Sequence, residues 1–349
     1  MGDANRPPRG RGATANPRGR FERVEVEAVG PAPERVETEL LTDSSRTVIA
    51  CNRSPDVDFA ASINPYRGCE HGCSYCYARP THEYLGFSAG LDFETRILVK
   101  HEAPELLTRE LAAPAWKPQL LGLSGVTDPY QPIERRLELT RRCLEVLAAC
   151  RNPVAVVTKN ALVTRDLDHL TRLAEHRAVV VWMSVTTLDP ELARKMEPRT
   201  SHPAKRLEAI AALAEAGVPV GGLVAPVVPA LNDHEIPAIL EAVAGAGATF
   251  TRYVMLRLPG AVAGVFGDWL EAAYPDRRER ILSRIRDLRG GRLNDPRFGT
   301  RGRGEGVFAE QTRALFHGAR KRAGLARSAP ALSTESFRRP RTDQLDLFA

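Results

Sequence analysis

Residues 64–80 read Asn-Pro-Tyr-Arg-Gly-Cys-Glu-His-Gly-Cys-Ser-Tyr-Cys-Tyr-Ala-Arg-Pro and place Cys69, Cys73 and Cys76 in a C-x3-C-x2-C pattern. Half of the 6 cysteines of this 349-residue chain fall in that one stretch. Thiolates are soft ligands, and this spacing lets one loop wrap one metal centre. A closed structural zinc site takes four ligands, and an ordinary four-iron cluster takes four cysteines. No fourth cysteine lies nearby: Cys51 is 18 residues upstream, and Cys143 and Cys150 fall on an amphipathic stretch where a buried, inert thiol is the ordinary outcome. Three cysteines on four irons leave one iron open to an external ligand. The competing reading is a zinc loop completed by His71 or His82. So few cysteines, so crowded, are not a disulfide framework, which points to metal chemistry in a reducing, cytoplasmic setting.

Outward from this loop the pattern is regular. Apolar runs at Gln119–Leu123, Val154–Val157, Val179–Val185, Val218–Val224 and Phe250–Leu256 predict strands. Between them Glu134–Ala149, Arg165–Ala174, Pro203–Ala216 and Glu235–Ala244 carry apolar residues at helical spacing. Repeated strand–helix order argues an α/β fold, a parallel sheet with helices outside, wound as an open sheet or a barrel. The predicted organisation is a disordered basic arm (1–20), a lead-in (21–60), a core (61–290), a loop and helix extension (291–327, with the helix near Ala309–Ala323) and a flexible tail (328–349). No apolar run approaches the ~18 residues of a membrane helix, and the N-terminal stretch lacks the apolar segment of a secretory signal, so no membrane role is expected.

The cysteine spacing, with Tyr75 before the third cysteine, resembles the signature of radical S-adenosylmethionine (SAM) enzymes. The resemblance implies a partial (β/α)6 TIM-type barrel with the cluster loop after its first strand. It also implies a 4Fe-4S cluster on Cys69, Cys73 and Cys76, whose open iron binds the amino and carboxylate groups of SAM. The reduced cluster, fed by a reductant such as flavodoxin or ferredoxin, then cleaves SAM to a 5′-deoxyadenosyl radical. Residues from about Ser62 to Leu288 are similar to a narrower branch, the spore photoproduct lyase-like or DNA repair photolyase-like group. That likeness implies SAM contacts at successive strand ends: Tyr75 in the loop; Ser124, Gly125 and Thr127, with Asp128 following, in LSGVTDPYQPIE; Lys159 in VVTKN; Ser184 in WMSVTTLD; Arg199 in MEPRT; and an apolar adenine wall around Pro226. His82, Tyr84 and Phe87 are candidates for the substrate side. One departure concerns activity. The spore lyase returns a hydrogen atom from a cysteine near the second strand end, where this chain reads LSGVTD, so no catalytic hydrogen donor is assigned.

Charge and the C-terminus add a partner. The chain carries 49 Lys+Arg against 43 Asp+Glu, and its surplus lies at the two ends, around an acidic middle. Basic ends suit a polyanion such as DNA. Gln344, Leu345, Leu347 and Phe348, in a terminal QLDLF, resemble the peptide that anchors proteins to the DNA-polymerase sliding clamp. The function expected is therefore a lyase-like radical SAM enzyme acting on damaged or modified DNA. The alternatives are a radical SAM enzyme acting on RNA or a peptide, and a non-enzymatic, metal-stabilised adaptor on the clamp.

Overall fold

Apolar runs without polar alternation suit strands covered on both faces. The computed structural model, which describes residues 7–22, 34–123 and 125–340, arranges them that way. Among the described residues there are ten strands: β1 (Glu39–Thr42), β2 (Ile49–Cys51), β3 (Ala61–Ile63), β4 (Tyr66–Arg67), β5 (Arg96–Val99), β6 (Leu121–Leu123), β7 (Val154–Thr158), β8 (Val179–Ser184), β9 (Val220–Val227) and β10 (Phe250–Met255). The strands β3, β6, β7, β8, β9 and β10 are parallel neighbours in that order, and β2 adds antiparallel to β3. With helices in the connections, this is the partial (β/α)6 barrel. Every residue of β8 is buried. A small second sheet, β1-β5-β4, holds the chain just before Cys69.

The helices follow the apolar periodicity, with one informative break. The stretch Glu134–Ala149, expected as one helix, is split at Glu138 (φ 53°) into Glu134–Leu137 and Leu139–Cys150. The cause is the buried Glu134 carboxylate. It accepts from the Thr140 and Arg141 N–H groups (3.0 and 3.3 Å), capping the second helix, and from Tyr66 Oη (2.5 Å) and Arg165 Nη2 (2.7 Å). The expected Arg165–Ala174 helix is likewise a 3-10 turn, Ala161–Asp166, followed by Leu167–Ala174.

Inside the barrel, Ala155, Val180, Trp182 and Phe250 form a cluster separate from the larger core between sheet and helices. Its floor comes from the C-terminal segment. Ala326 pairs with the start of β10, and Ala329 and Leu332 pack on this inner cluster. Residues 328–340, expected as a flexible linker, are thus laid on the body. The Ser333 N–H donates to Arg177 O (2.9 Å), and the Arg338 N–H to Cys150 O (2.8 Å). The Arg339 guanidinium donates to the carbonyls of Leu111 and Ala112, which end the helix Ala103–Ala112 and have no partner within it.

The described part of the N-terminal arm also departs from expectation. Ala13 is fully buried and Arg11 is 6% exposed. The arm lacks apolar periodicity because backbone and guanidinium hydrogen bonds hold it, and these leave no periodic signature. The four tail residues expected at the clamp, Gln344, Leu345, Leu347 and Phe348, lie outside the described residues, as does Ser124.

Truncation after Arg327 removes the partly buried Leu332 and Phe337 and should lower the free energy of urea unfolding by roughly 1–3 kcal/mol. An unchanged unfolding curve would show that the tail is no part of the folded body.

Candidate active site

The loop that follows β3 and β4 begins with Gly68 in a left-handed turn and delivers Cys69, Cys73 and Cys76 to the C-terminal end of the barrel strands, where this architecture gathers chemistry. Cys69 and Cys73 are buried and Cys76 is partly exposed. Burial, with Glu197 adding to it, pushes the Cys73 thiol well above its usual range, and burial pushes Cys76 up to about 11. Thiols held this far up ionise when a metal takes the charge. Ser74 Oγ, between them, is buried without a hydrogen-bond partner, a donor of the kind a cluster sulfide accepts. The donor set therefore fits an iron–sulfur cluster.

The two histidines that would complete a zinc loop are engaged elsewhere. Both His71 ring nitrogens face protein groups: Nδ1 lies 3.4 Å from the Asp128 carboxylate and Nε2 lies 3.3 Å from Asn160 Nδ2. Burial lowers the His71 pKa, but Asp128 and Cys69 outweigh it and raise the value to about 10. His82 is fully buried between Phe87 and Phe93 with Nε2 3.0 Å from Arg96 O, and burial lowers it to about 4. Tyr84 lies at the surface against Arg20. The trio His82, Tyr84 and Phe87 thus stands behind the loop, not on a substrate face.

The three cysteines open onto a cavity of about 1140 Å³ that runs into the barrel. Of the residues expected at SAM, it is lined by Tyr75, Gly125, Thr127, Lys159, Ser184 and Pro226. Lys159 Nζ donates to Ser184 Oγ (2.6 Å) and to Ala225 O (3.2 Å). Gly125 N–H donates to Asn64 Oδ1 (2.9 Å), and Gly125 O accepts from Tyr77 Oη (3.0 Å). A Cβ on Gly125 would come within 2.8 Å of Ser62 Oγ, so only glycine lets the backbone sit this close to the first strand. Asp128 sits at the same rim. It accepts from Thr158 Oγ1 (2.7 Å) and from the Lys159 N–H (2.8 Å) and so ties the ends of β6 and β7 together. Arg199 is the exception among the expected contacts. It does not line the cavity; its guanidinium is 3.0 Å from Glu70 Oε1, on the arm side of the cluster loop.

Sequence reading missed Glu197, two residues before Arg199. It is buried and accepts from Tyr75 Oη, from Thr186 Oγ1 (2.6 Å) and from Arg206 Nη2 (2.5 Å), with Lys159 Nζ 3.8 Å away. Burial would raise its pKa, but Arg206 and then Lys159 outweigh that and lower it to about 2. Nothing in spacing marks such a carboxylate, because its partners come from four separate segments. Cys51, set aside on spacing, proves to be an exposed thiol on the cavity wall.

The side walls are charged and aromatic. Arg252 pairs with Asp58 (2.7 Å) and Arg301 with Asp56. The Arg257 guanidinium lies over the Tyr77 ring (5.0 Å), and Arg301 over Phe298 (4.5 Å).

Comparison with known proteins agrees with this geometry. The Radical SAM superfamily model matches residues 63–243. An uncharacterized protein of Mycobacterium tuberculosis is 39% identical over 244 residues, covering 68% of this chain and 71% of its own length. One from Methanocaldococcus jannaschii is 27% identical over 223 residues, covering 64% and 79%. Spore photoproduct lyase complexed with dinucleoside spore photoproduct shares the fold, with a TM-score of 0.59 at 18% identity, covering 82% of this chain and 81% of that one. A double mutant of the same enzyme with bound AdoMet and dinucleoside spore photoproduct matches with a TM-score of 0.50 at 20% identity, covering 68% and 66%. With its three-cysteine loop at the mouth of a partial barrel, the chain belongs to the radical SAM superfamily and is an enzyme that uses a 4Fe-4S cluster and SAM.

Proposed function

We propose that this enzyme acts on a nucleotide of damaged or modified DNA admitted to the cavity beside the cluster loop. The observation that carries the reading is the wall around Arg257. Arg257 is half-buried, and among the described residues no carboxylate lies within ion-pair distance of it, whereas its neighbours Arg252 and Arg301 are both paired. Burial and then Arg301 lower its pKa. Asp56, the nearby carboxylate, is in contact with Arg301 and acts on Arg257 only from a distance, and a partly desolvated guanidinium with no ion pair of its own suits an incoming phosphodiester. Tyr77 and Phe298 beside it are 52% and 57% exposed and offer faces on which bases stack. The spore lyase bound to a dinucleoside photoproduct supports the same substrate class, at the level of fold.

When bound, the reduced cluster and SAM supply radical hydrogen abstraction. The chain's own part is to bind, orient and enclose. Cys69, Cys73 and Cys76 would hold the cluster. Lys159, with Ser184 and the Ala225 carbonyl, would hold the SAM carboxylate and ribose side, Gly125, Thr127 and Tyr75 would flank it, and Pro226 would face adenine. No cysteine stands at the end of β6, so the spore lyase's route for returning hydrogen does not transfer, and the proposed reaction is hydrogen abstraction from a lesion or base. Sliding-clamp binding through QLDLF fits a DNA role and belongs to the same proposal.

Anaerobic reconstitution with iron and sulfide, then reduction with SAM, tests the class. A reduced-cluster EPR signal should shift on SAM addition and 5′-deoxyadenosine should form, while Cys73→Ala shows neither. DNA oligonucleotides carrying lesions should raise the rate, and acceleration by RNA or peptide in their place would overturn the substrate reading. Arg257→Ala should weaken oligonucleotide binding about tenfold or more, the worth of one charged hydrogen bond, with SAM binding unchanged. Lys159→Ala should do the reverse.

The Glu197 network that orients Lys159 has a pH signature. A carboxylate lowered from 4.5 to about 2 adds stability that is present above pH 4.5 and lost as pH falls toward 2. Urea midpoints measured across this range should fall less steeply in Glu197→Gln than in the wild type, and parallel profiles would remove Glu197 from the account.

A further inference from the structure

The N-terminal arm meets the cluster loop at its least forgiving point. The backbone N–H groups of Gly12 and Ala13 donate to the two oxygens of the Glu94 carboxylate (2.9 and 2.8 Å). That carboxylate is fully buried and also receives Arg79 Nη2 (2.5 Å). Arg79, itself fully buried, donates through Nε and Nη2 to the Cys73 carbonyl (3.1 and 2.8 Å). The chain of contacts therefore runs from the arm, through Glu94 and Arg79, to the backbone of a cluster cysteine. The Arg11 guanidinium adds a second attachment, donating to Glu94 O and Val36 O (both 2.7 Å) and to Thr38 Oγ1 (3.1 Å). Thr38 Oγ1 in turn donates to Glu70 Oε1 (2.7 Å), beside Cys69.

Steric fit points the same way. A Cβ on Gly12 would lie 1.7 Å from Gly72 O, between Cys69 and Cys73, so residue 12 can only be glycine. Further along, Asn16 exchanges hydrogen bonds with Asp92 (2.8 and 2.9 Å), and Ser88 Oγ donates to Pro17 O (2.7 Å), which fastens the arm over the segment that carries Glu94.

We infer that residues 9–17 are a brace for the cluster loop, with Arg11, Gly12 and Ala13 as positioning residues that set Cys73 through Glu94 and Arg79. Without the brace, Glu94 is left buried with two of its donors missing, and the loop opens to relieve it. The inference concerns the loop itself and does not depend on the DNA reading.

The test uses thiol accessibility in the apo protein, which needs no loaded enzyme. With a thiol-exchange dye under anaerobic conditions, the exposed Cys51 reacts promptly in the full chain, while the buried Cys69 and Cys73 react slowly. Deleting residues 1–22 should speed Cys69 and Cys73 about a hundredfold or more, the effect of losing two charge-assisted hydrogen bonds. A synthetic peptide of residues 7–22 should restore the slow rate, and the same peptide with Gly12→Val should not. After reconstitution, the EPR line shape of the reduced cluster should change in the truncated chain and return with the peptide. Should the truncated chain fail to fold, Gly12→Val in the full chain decides, with Arg18→Ala on the exposed side as the silent control. Unchanged thiol rates and line shape in the variant that folds would overturn the brace.

Discussion

Arg79 and Glu94 are both wholly removed from solvent, and the cluster loop is arranged around satisfying them. Burying two charges costs several kcal/mol per ion, and their attraction offsets this only when the remaining donors and acceptors are also used. Here they are: Arg79 serves Glu94, the Cys73 carbonyl and the carbonyls of Ala89 and Gly90, while Glu94 takes two backbone N–H groups from a segment more than 80 residues away. An apolar pair of the same volume would pack as well, but it would leave the Cys73 carbonyl and the arm without a direction. What the pair contributes is geometry. It sets the loop that must present three thiols together while leaving a coordination position free.

The same device recurs around the mouth of the barrel. Glu134 caps the helix Leu139–Cys150 and holds Tyr66, two residues before the loop's turn at Gly68. Asp128 joins the ends of β6 and β7, and it lies 3.4 Å from His71 inside the cysteine motif. Glu197 ties Tyr75, beside Cys76, to Thr186 just beyond β8 and to Arg206 on the helix Pro203–Glu215. Each carboxylate links the cluster loop or its base to a different segment around the barrel mouth. The parallel sheet supplies a rigid set of strand ends, and buried acids convert that rigidity into a fixed position for the cysteines.

These links separate what was legible in the sequence from what was not. The strands were legible because parallel strands covered on both faces read as unbroken apolar runs, as β8 does with Val179–Ser184. The cysteines were legible because soft ligands at that spacing have few other uses. Lys159 and Ser184 were placed by family resemblance at strand ends, and they meet in the cavity. Arg199 was placed by the same reasoning and lies outside the cavity, in the loop after Glu197, where Glu70 is its partner. The split at Glu138 was invisible because the acid that causes it carries no mark of its tertiary partners. The described stretches 7–20 and 328–340, which lie on the body, gave no sign of it for a related reason. Composition measures apolar burial, whereas Arg11, Gly12 and Arg339 hold their segments through backbone carbonyls, carboxylates and N–H groups, which any sequence has.

The barrel's open side is built on different terms. Its strands do not close, and the gap between β10 and β2 is spanned by the loop after β2, through Arg252–Asp58, Arg301–Asp56 and the Gly299 N–H to Asp56 (2.7 Å). The side chains of these pairs are 20–67% exposed, whereas those of Arg79–Glu94 and Arg206–Glu197 are at most 1% exposed. Exposed pairs contribute about 0–1 kcal/mol and are screened by salt, so they can exchange partners at little cost, while the buried pairs cannot. The protein thus fixes its cluster loop with charges that water never reaches and walls the open side with charges that exchange partners readily. On the DNA reading proposed above, a wall of that kind would admit a long, charged substrate without disturbing the loop that holds the cluster, and Arg257, which has no ion pair of its own among the described residues, would meet it with least competition.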